Sequence, residues 1–276
     1  MRKLLCISVL LFFASTGMAL ANDIASPAQM LKAGQFSLGV SGTWQSEQKY
    51  KDADIKSTTV YSDGFRESSN NNVADFKIKD DQFYLATLAY GVCDRLNVFA
   101  RAGLTAGGKE QYSVLNNGRW AEVEAKLKDA FTWGVGAKGL LFETRGGLGA
   151  TVSAQYLRYD SRKEENLSVN GAPLGLDTFD YQADYQQVDV AAALYQKLGA
   201  FTPYAGLGYN WAQFKYSGTS SIAGDFSASS DFSSDNKNNL AALAGVDFAL
   251  GNSFSLNLQG SFVSRTAITL GLTYLF

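Results

Sequence analysis

Asp80 and Asp81 are adjacent carboxylates, the arrangement from which one acid can activate a water while its neighbour shares the proton. The chain contains no histidine, so Ser-His-Asp and Cys-His nucleophilic catalysis, most zinc sites and imidazole-based pH switching are closed to it. Without that partner the pair reads as two solvated rim charges. Arg101, Lys138, Asp189 and Asp247 are single charges set among small and apolar residues. Charges in such surroundings need partners, so they read either as an interior salt-bridge network or as the lining of a narrow solute path. Asp52, Asp54, Asp63, Asp225, Asp231 and Asp235 offer oxygens to a hard cation, but no calcium-loop spacing joins them. The glycines form neither GxGxxG nor a P-loop. Catalytic residues, cofactors and metals are therefore not expected, and a net charge of -2 from 24 basic and 26 acidic side chains does not suit a nucleic-acid binder.

The elements that carry these residues are legible in their periodicity. Among 276 residues there are 27 Gly, 18 Phe and 14 Tyr but only 3 Pro, a composition that favours many extended segments joined by tight turns. Phe36, Leu38, Val40 and Trp44 interleave with Ser37, Ser41, Thr43 and Gln45, the period of a strand with one apolar and one polar face. The pattern returns near 76–90, 96–104, 131–137, 148–156, 188–194, 205–211, 240–248, 254–262 and 268–276, which makes ten strands. Phe83 and Leu85 blur the register of the second, and misreading one hairpin would make the count eight or twelve.

Arg2 and Lys3, the apolar run Leu4 to Phe13 and the small-x-small exit Ala19-Leu20-Ala21 read as a Sec signal peptide over residues 1–21. Cys6 lies too early for a lipidated cysteine. Cleavage leaves Cys93 as the only thiol, so no internal disulfide forms, and a small half-buried residue at a strand end is expected there. Residues 22–34 then form a short periplasmic segment and 35–276 one large domain.

No later stretch is long and apolar enough for a transmembrane helix. The connections instead alternate in length: short near 91–95, 141–147, 198–202 and 250–252, long and polar near 51–75, 109–128, 158–183 and 217–236. The last of these reads as a flexible external loop. Short turns at one end and long loops at the other, with an even strand count, predict a transmembrane antiparallel up-and-down β-barrel of about ten strands. Closure satisfies every backbone N–H and C=O, as hydrocarbon demands. Trp44, Tyr84, Tyr90, Trp133, Tyr156, Tyr209, Trp211 and Tyr274 fall at strand ends, where two interfacial aromatic girdles are expected.

The closing run Thr269 to Phe276, with Leu270, Leu272, Tyr274 and Phe276 alternating to a terminal aromatic, resembles the C-terminal insertion signal of Gram-negative outer-membrane barrels. The resemblance implies a location in the outer membrane among lipid and lipopolysaccharide, delivery by periplasmic chaperones and insertion by the barrel assembly machinery. Ten-stranded proteases of the omptin family combine acids with a histidine, which this chain lacks. The leading expectation of function is a narrow porin-like channel for small solutes or ions; the alternative is a non-conducting structural or adhesive surface protein whose long loops meet an extracellular ligand of unknown nature.

Overall fold

The computed structural model describes residues 26, 30–116, 119–263 and 265–276; the signal-peptide segment 1–21 lies outside them. The described residues form fourteen strands: β1 (Phe36–Lys49), β2 (Ala53–Tyr61), β3 (Arg66–Cys93), β4 (Leu96–Asn116), β5 (Arg119–Leu127), β6 (Ala130–Glu143), β7 (Leu148–Val169), β8 (Ala172–Pro173), β9 (Thr178–Gln196), β10 (Phe201–Ile222), β11 (Phe226–Asp235), β12 (Leu240–Leu250), β13 (Phe254–Val263) and β14 (Arg265–Leu275). This exceeds the ten expected, because the long polar connections are themselves paired as strands.

Two closed rings share one wall. In the lower tier β1, β3, β4, β6, β7, β9, β10, β12, β13 and β14 pair in that order, and β14 returns to β1 with Leu38 opposite Tyr274. These are the ten strands legible as alternation. In the upper tier, on the side of the long connections, β5 takes the place of β6 between β4 and β7. There β11 and β2 also replace β12, β13, β14 and β1 between β10 and β3. The result is a narrower eight-strand ring standing on a ten-strand one. The segment expected to be a flexible loop, 217–236, is instead the β10–β11 hairpin.

Backbone bulges mark the change of ring. Asp75, Asp80 and Ser161 have φ of 54°, 54° and 52°, and Gly107 and Gly108 have φ of 66° and 82°. Each bulge inserts an unpaired residue and exchanges the faces of the strand beyond it. On β3 the buried side chains are Phe83 and Leu85 below Asp80 but Phe76 and Ile78 above it; on β7 they are Leu157 and Tyr159 below Ser161 but Arg162 and Glu164 above it. The ambiguous register near 76–90 has this cause: Phe83 and Leu85 point inward under the upper tier, while Tyr84, Ala86, Leu88 and Tyr90 face out.

The two interiors differ in chemistry. Lower down, the wall presents mostly Ser, Thr, Asn and Gln inward; at the change of ring and above it, Tyr50, Phe76, Ile78, Tyr112, Tyr159, Tyr185, Phe214 and Phe232 pack into one largely apolar cluster. Phe76 sits at its centre, with ring centroids 5.2 Å from Phe214 and 5.3 Å from Phe232. Such contacts add about 0.5–1.5 kcal/mol per pair beyond the area they bury.

Candidate functional site: the barrel interior

The four expected lumen charges are all buried on inward positions of the lower tier, at 1–4% exposure. Asp189 on β9 accepts hydrogen bonds from Gln155 Nε2 at 2.7 Å and Asn210 Nδ2 at 2.6 Å, and also from Gln187; the Arg265 guanidinium stands 3.7 Å away. Asp247 on β12 accepts from Asn257 Nδ2 at 2.6 Å and from Ser26 Oγ at 2.7 Å. Lys138 on β6 donates to the Ser26 carbonyl at 2.7 Å. Ser26 therefore joins Lys138 to Asp247 across the lumen, although it belongs to the segment expected to hang in the periplasm. Leu31 of the same segment is buried too, its N–H donating to Asn97 Oδ1 at 3.2 Å. Arg101 lies over the Phe99 ring at 4.8 Å. The structure brings Lys138 and Asp247 together through Ser26 and places Asp189 in a separate amide cage.

A second polar cluster, absent from the sequence reading, lies where the rings change. Asp81 is buried, which corrects its expected place as a solvated rim charge; Asp80, at the bulge, stays exposed. Arg162 Nη1 donates to Asp81 Oδ1 at 2.8 Å, Nε to the Lys128 carbonyl at 2.6 Å and Nη2 to the Gly107 carbonyl at 2.5 Å. Burial lifts the Asp81 carboxyl above its ordinary range and Arg162 opposes that lift. One turn of alternation higher, Glu110 on β4 and Glu164 on β7 are buried near each other beside Tyr112 and Tyr216, and none of their four carboxylate oxygens meets a hydrogen-bond partner. Burial, then the Glu164 charge, raises the Glu110 carboxyl well above its ordinary value, and burial raises Glu164 to about 7. The signal for Arg162, Glu110 and Glu164 is an inward parity that the bulges conceal.

Outside, the lower tier is apolar: Leu38, Leu88, Val98, Leu104, Val135 and Leu207 are 41–73% exposed. Tyr90 and Tyr274 stand at the short-turn end, joined by Phe36 and Phe254 at ring distances of 4.8 Å each. Trp44, Tyr84, Trp133, Tyr156, Tyr209 and Trp211 stand at the other end, with Trp133 and Tyr156 at 5.7 Å. From Phe36 to Trp44 the strand rises roughly 26 Å, which a tilt near 40° reduces to about 20 Å, close to the apolar band of such barrels. A closed antiparallel barrel with an apolar outer band and a polar interior is built for the bacterial outer membrane, and the chain is an outer-membrane β-barrel. Cys93 is a free thiol and exposed, not half-buried, at the short-turn end of β3.

No known family profile matches the chain. Among solved structures it is similar to the outer membrane protease OmpT from Escherichia coli, with 12% identity over 88% of this chain and 97% of that one and a TM-score of 0.48. It is also similar to the outer membrane protein OprG from Pseudomonas aeruginosa, with 12% identity, 89% and 97% coverage and a TM-score of 0.44. The attachment invasion locus protein Ail of Yersinia pestis follows with 13% identity, 88% and 99% coverage and a TM-score of 0.29. Likenesses this distant say nothing of a shared activity.

Proposed function

We propose that this barrel is a non-conducting surface protein, with a braced lumen and an extracellular tier that meets its ligand. The observation that carries the reading is the apolar plug of the upper tier. A porin-like path for small solutes or ions would have to pass Tyr50, Phe76, Tyr159 and Phe214, each at most 1% exposed. A hydrated ion does not fit through a packed layer of this kind, and its few buried hydroxyls do not replace the water the ion would shed. Below it, Arg101, Lys138, Asp189 and Asp247 act as a brace whose charges are met by amides, by Ser26 and by ring faces. Asp81 is committed to Arg162 and unsuited to activating water, which supports a non-enzymatic role.

The same reading assigns Trp44, Tyr84, Tyr90, Trp133, Tyr156, Tyr209, Trp211 and Tyr274 to the two membrane interfaces, among lipid and lipopolysaccharide. Leu270, Leu272, Tyr274 and Phe276 serve as the strand recognised by the assembly machinery after chaperone delivery and removal of residues 1–21. The test is single-channel recording of the refolded mature protein in a planar bilayer. No conductance steps are expected. Steady steps whose ion selectivity changes in Arg101→Gln and Lys138→Gln would replace this reading with the channel.

A further inference from the structure

The four hairpins of the upper tier end in apolar side chains. Phe65 and Trp120 are 60% and 54% exposed and Leu174 is 45% exposed, while Ile222 and Phe226 flank the β10–β11 turn and the Tyr61 ring packs 5.9 Å from Phe65. These side chains do not face lipid. From Tyr84 at the far aromatic belt to Arg66 at the top of β3 the strand runs roughly 60 Å. The turns do not require them either, since Gly64, Gly171 and Gly224 supply the positive φ at three of the tips.

Backbone hydrogen bonds lace the tips together. Ser62 N–H donates to the Asp225 carbonyl at 2.9 Å, Asp177 N–H to the Ser221 carbonyl at 3.0 Å and Asn170 N–H to the Glu122 carbonyl at 2.8 Å. The first two bonds join the β2–β3 tip, the start of β9 and the β10–β11 tip into one rim carrying Tyr61, Phe65, Ile222 and Phe226, and acids dominate its charge: Asp63, Glu67, Asp177 and Asp225 against Arg66. Clustered apolar side chains within a charged border mark a protein-binding surface. The excess of carboxylates selects a basic partner.

We propose that this rim docks a cationic amphipathic protein segment, its apolar face on Phe65, Ile222 and Phe226 and its basic residues on Asp63, Asp177 and Asp225. The proposal rests on the surface-protein reading and names the chemistry of its partner. The probe is a fluorescent leucine–lysine helical peptide added to the barrel in phosphatidylcholine nanodiscs, with empty discs as background and a leucine–glutamate peptide of equal length as control.

Saturable binding of the lysine peptide alone is expected. It should weaken at least tenfold in Phe65→Ser/Phe226→Ser, and lose its salt dependence in Asp63→Asn/Asp177→Asn/Asp225→Asn. Heat-modifiable gel migration should show every variant folded. Equal binding by the variants, equal binding of the glutamate peptide, or adsorption to phosphatidylcholine vesicles without peptide preference would overturn the proposal. A barrel that conducts yet binds the peptide through these residues loses the closed lumen and keeps the rim. A non-conducting barrel that ignores the peptide keeps the first and loses the second.

Discussion

The Arg162 guanidinium and the Asp81 carboxylate meet at 2.8 Å where the ten-strand ring becomes an eight-strand ring, and neither side chain is more than 3% exposed. Arg162 also holds the carbonyls of Lys128 and Gly107, so one side chain ties β7 to β3, β4 and the β5–β6 turn. It fastens the strands that continue upward to the place where β6 stops. Removing one partner leaves the other charge buried and alone, at a cost of about 3–5 kcal/mol. Arg162→Met is therefore expected to lower the urea midpoint of the barrel in liposomes far more than Arg158→Met, whose exposed pair with Asp160 contributes little. Asp81→Asn in the Arg162→Met background should recover part of the loss. Equal midpoints for the two single variants would remove the staple from the account.

The Glu110–Glu164 pair gives the upper tier a pH dependence of definite sign. Raised carboxyl values mean that the folded state holds protons the unfolded chain releases, so stability is greatest below the ordinary carboxyl value near 4.5 and falls as pH rises past about 7. Arg162 and Asp81 face the pair but largely cancel each other, and Tyr112 and Tyr216 stay neutral in this range. Urea unfolding followed by tyrosine near-ultraviolet dichroism should show a midpoint that drops between pH 5 and 8, and Glu110→Gln/Glu164→Gln should flatten it. A midpoint that climbs over this interval contradicts the arrangement.

Alternation and turn spacing sufficed to read the lower tier, because a wall between lipid and a polar lumen keeps strict period 2. Phe36, Leu38 and Val40 all face out as their spacing implies. The upper tier was illegible for the converse reason. It has water outside and an apolar core within, so its outward residues are polar and its strands read as loops. The irregularities at Gly107, Gly108 and Ser161 then exchange the faces, which hid Arg162, Glu110 and Glu164 from a parity carried up from below, whereas Asp81 keeps the inward parity of Phe83 and Leu85. Arg265 falls between the alternating runs 254–262 and 268–276, yet it opens β14 and stands over Asp189 and Gln187. Ser26 carries no signal in its sequence for its place between Lys138 and Asp247.

Gly103 tests how closely the lower wall is packed. A β-carbon there would fall on the backbone carbonyl oxygen of Tyr84, a group the paired strand cannot move aside, whereas one at Gly139 would meet Val152 Cγ1 at an ordinary 3.5 Å. Gly103→Ala is expected to refold poorly into detergent micelles and to lose heat-modifiable migration, and Gly139→Ala to refold as the parent does. Both glycines lie on membrane-tier strands, so a general loss of chain flexibility would affect the two alike. Only the close approach at Gly103 separates them.

Cys93 reports which way the barrel stands. It is exposed at the end of β3 that carries the short turns, the same end as the carboxyl terminus after β14. Short turns face the periplasm in barrels of this class. A membrane-impermeant maleimide added to intact cells should then leave the mature protein unlabelled and react once the outer membrane is breached. Ser229→Cys on β11, placed in a Cys93→Ser background, should react in both conditions, because Ser229 is exposed and β11 belongs wholly to the upper tier. Labelling of Cys93 on intact cells would invert the topology. It would put the apolar rim of Phe65, Ile222 and Phe226 inside the periplasm, where no extracellular partner reaches it.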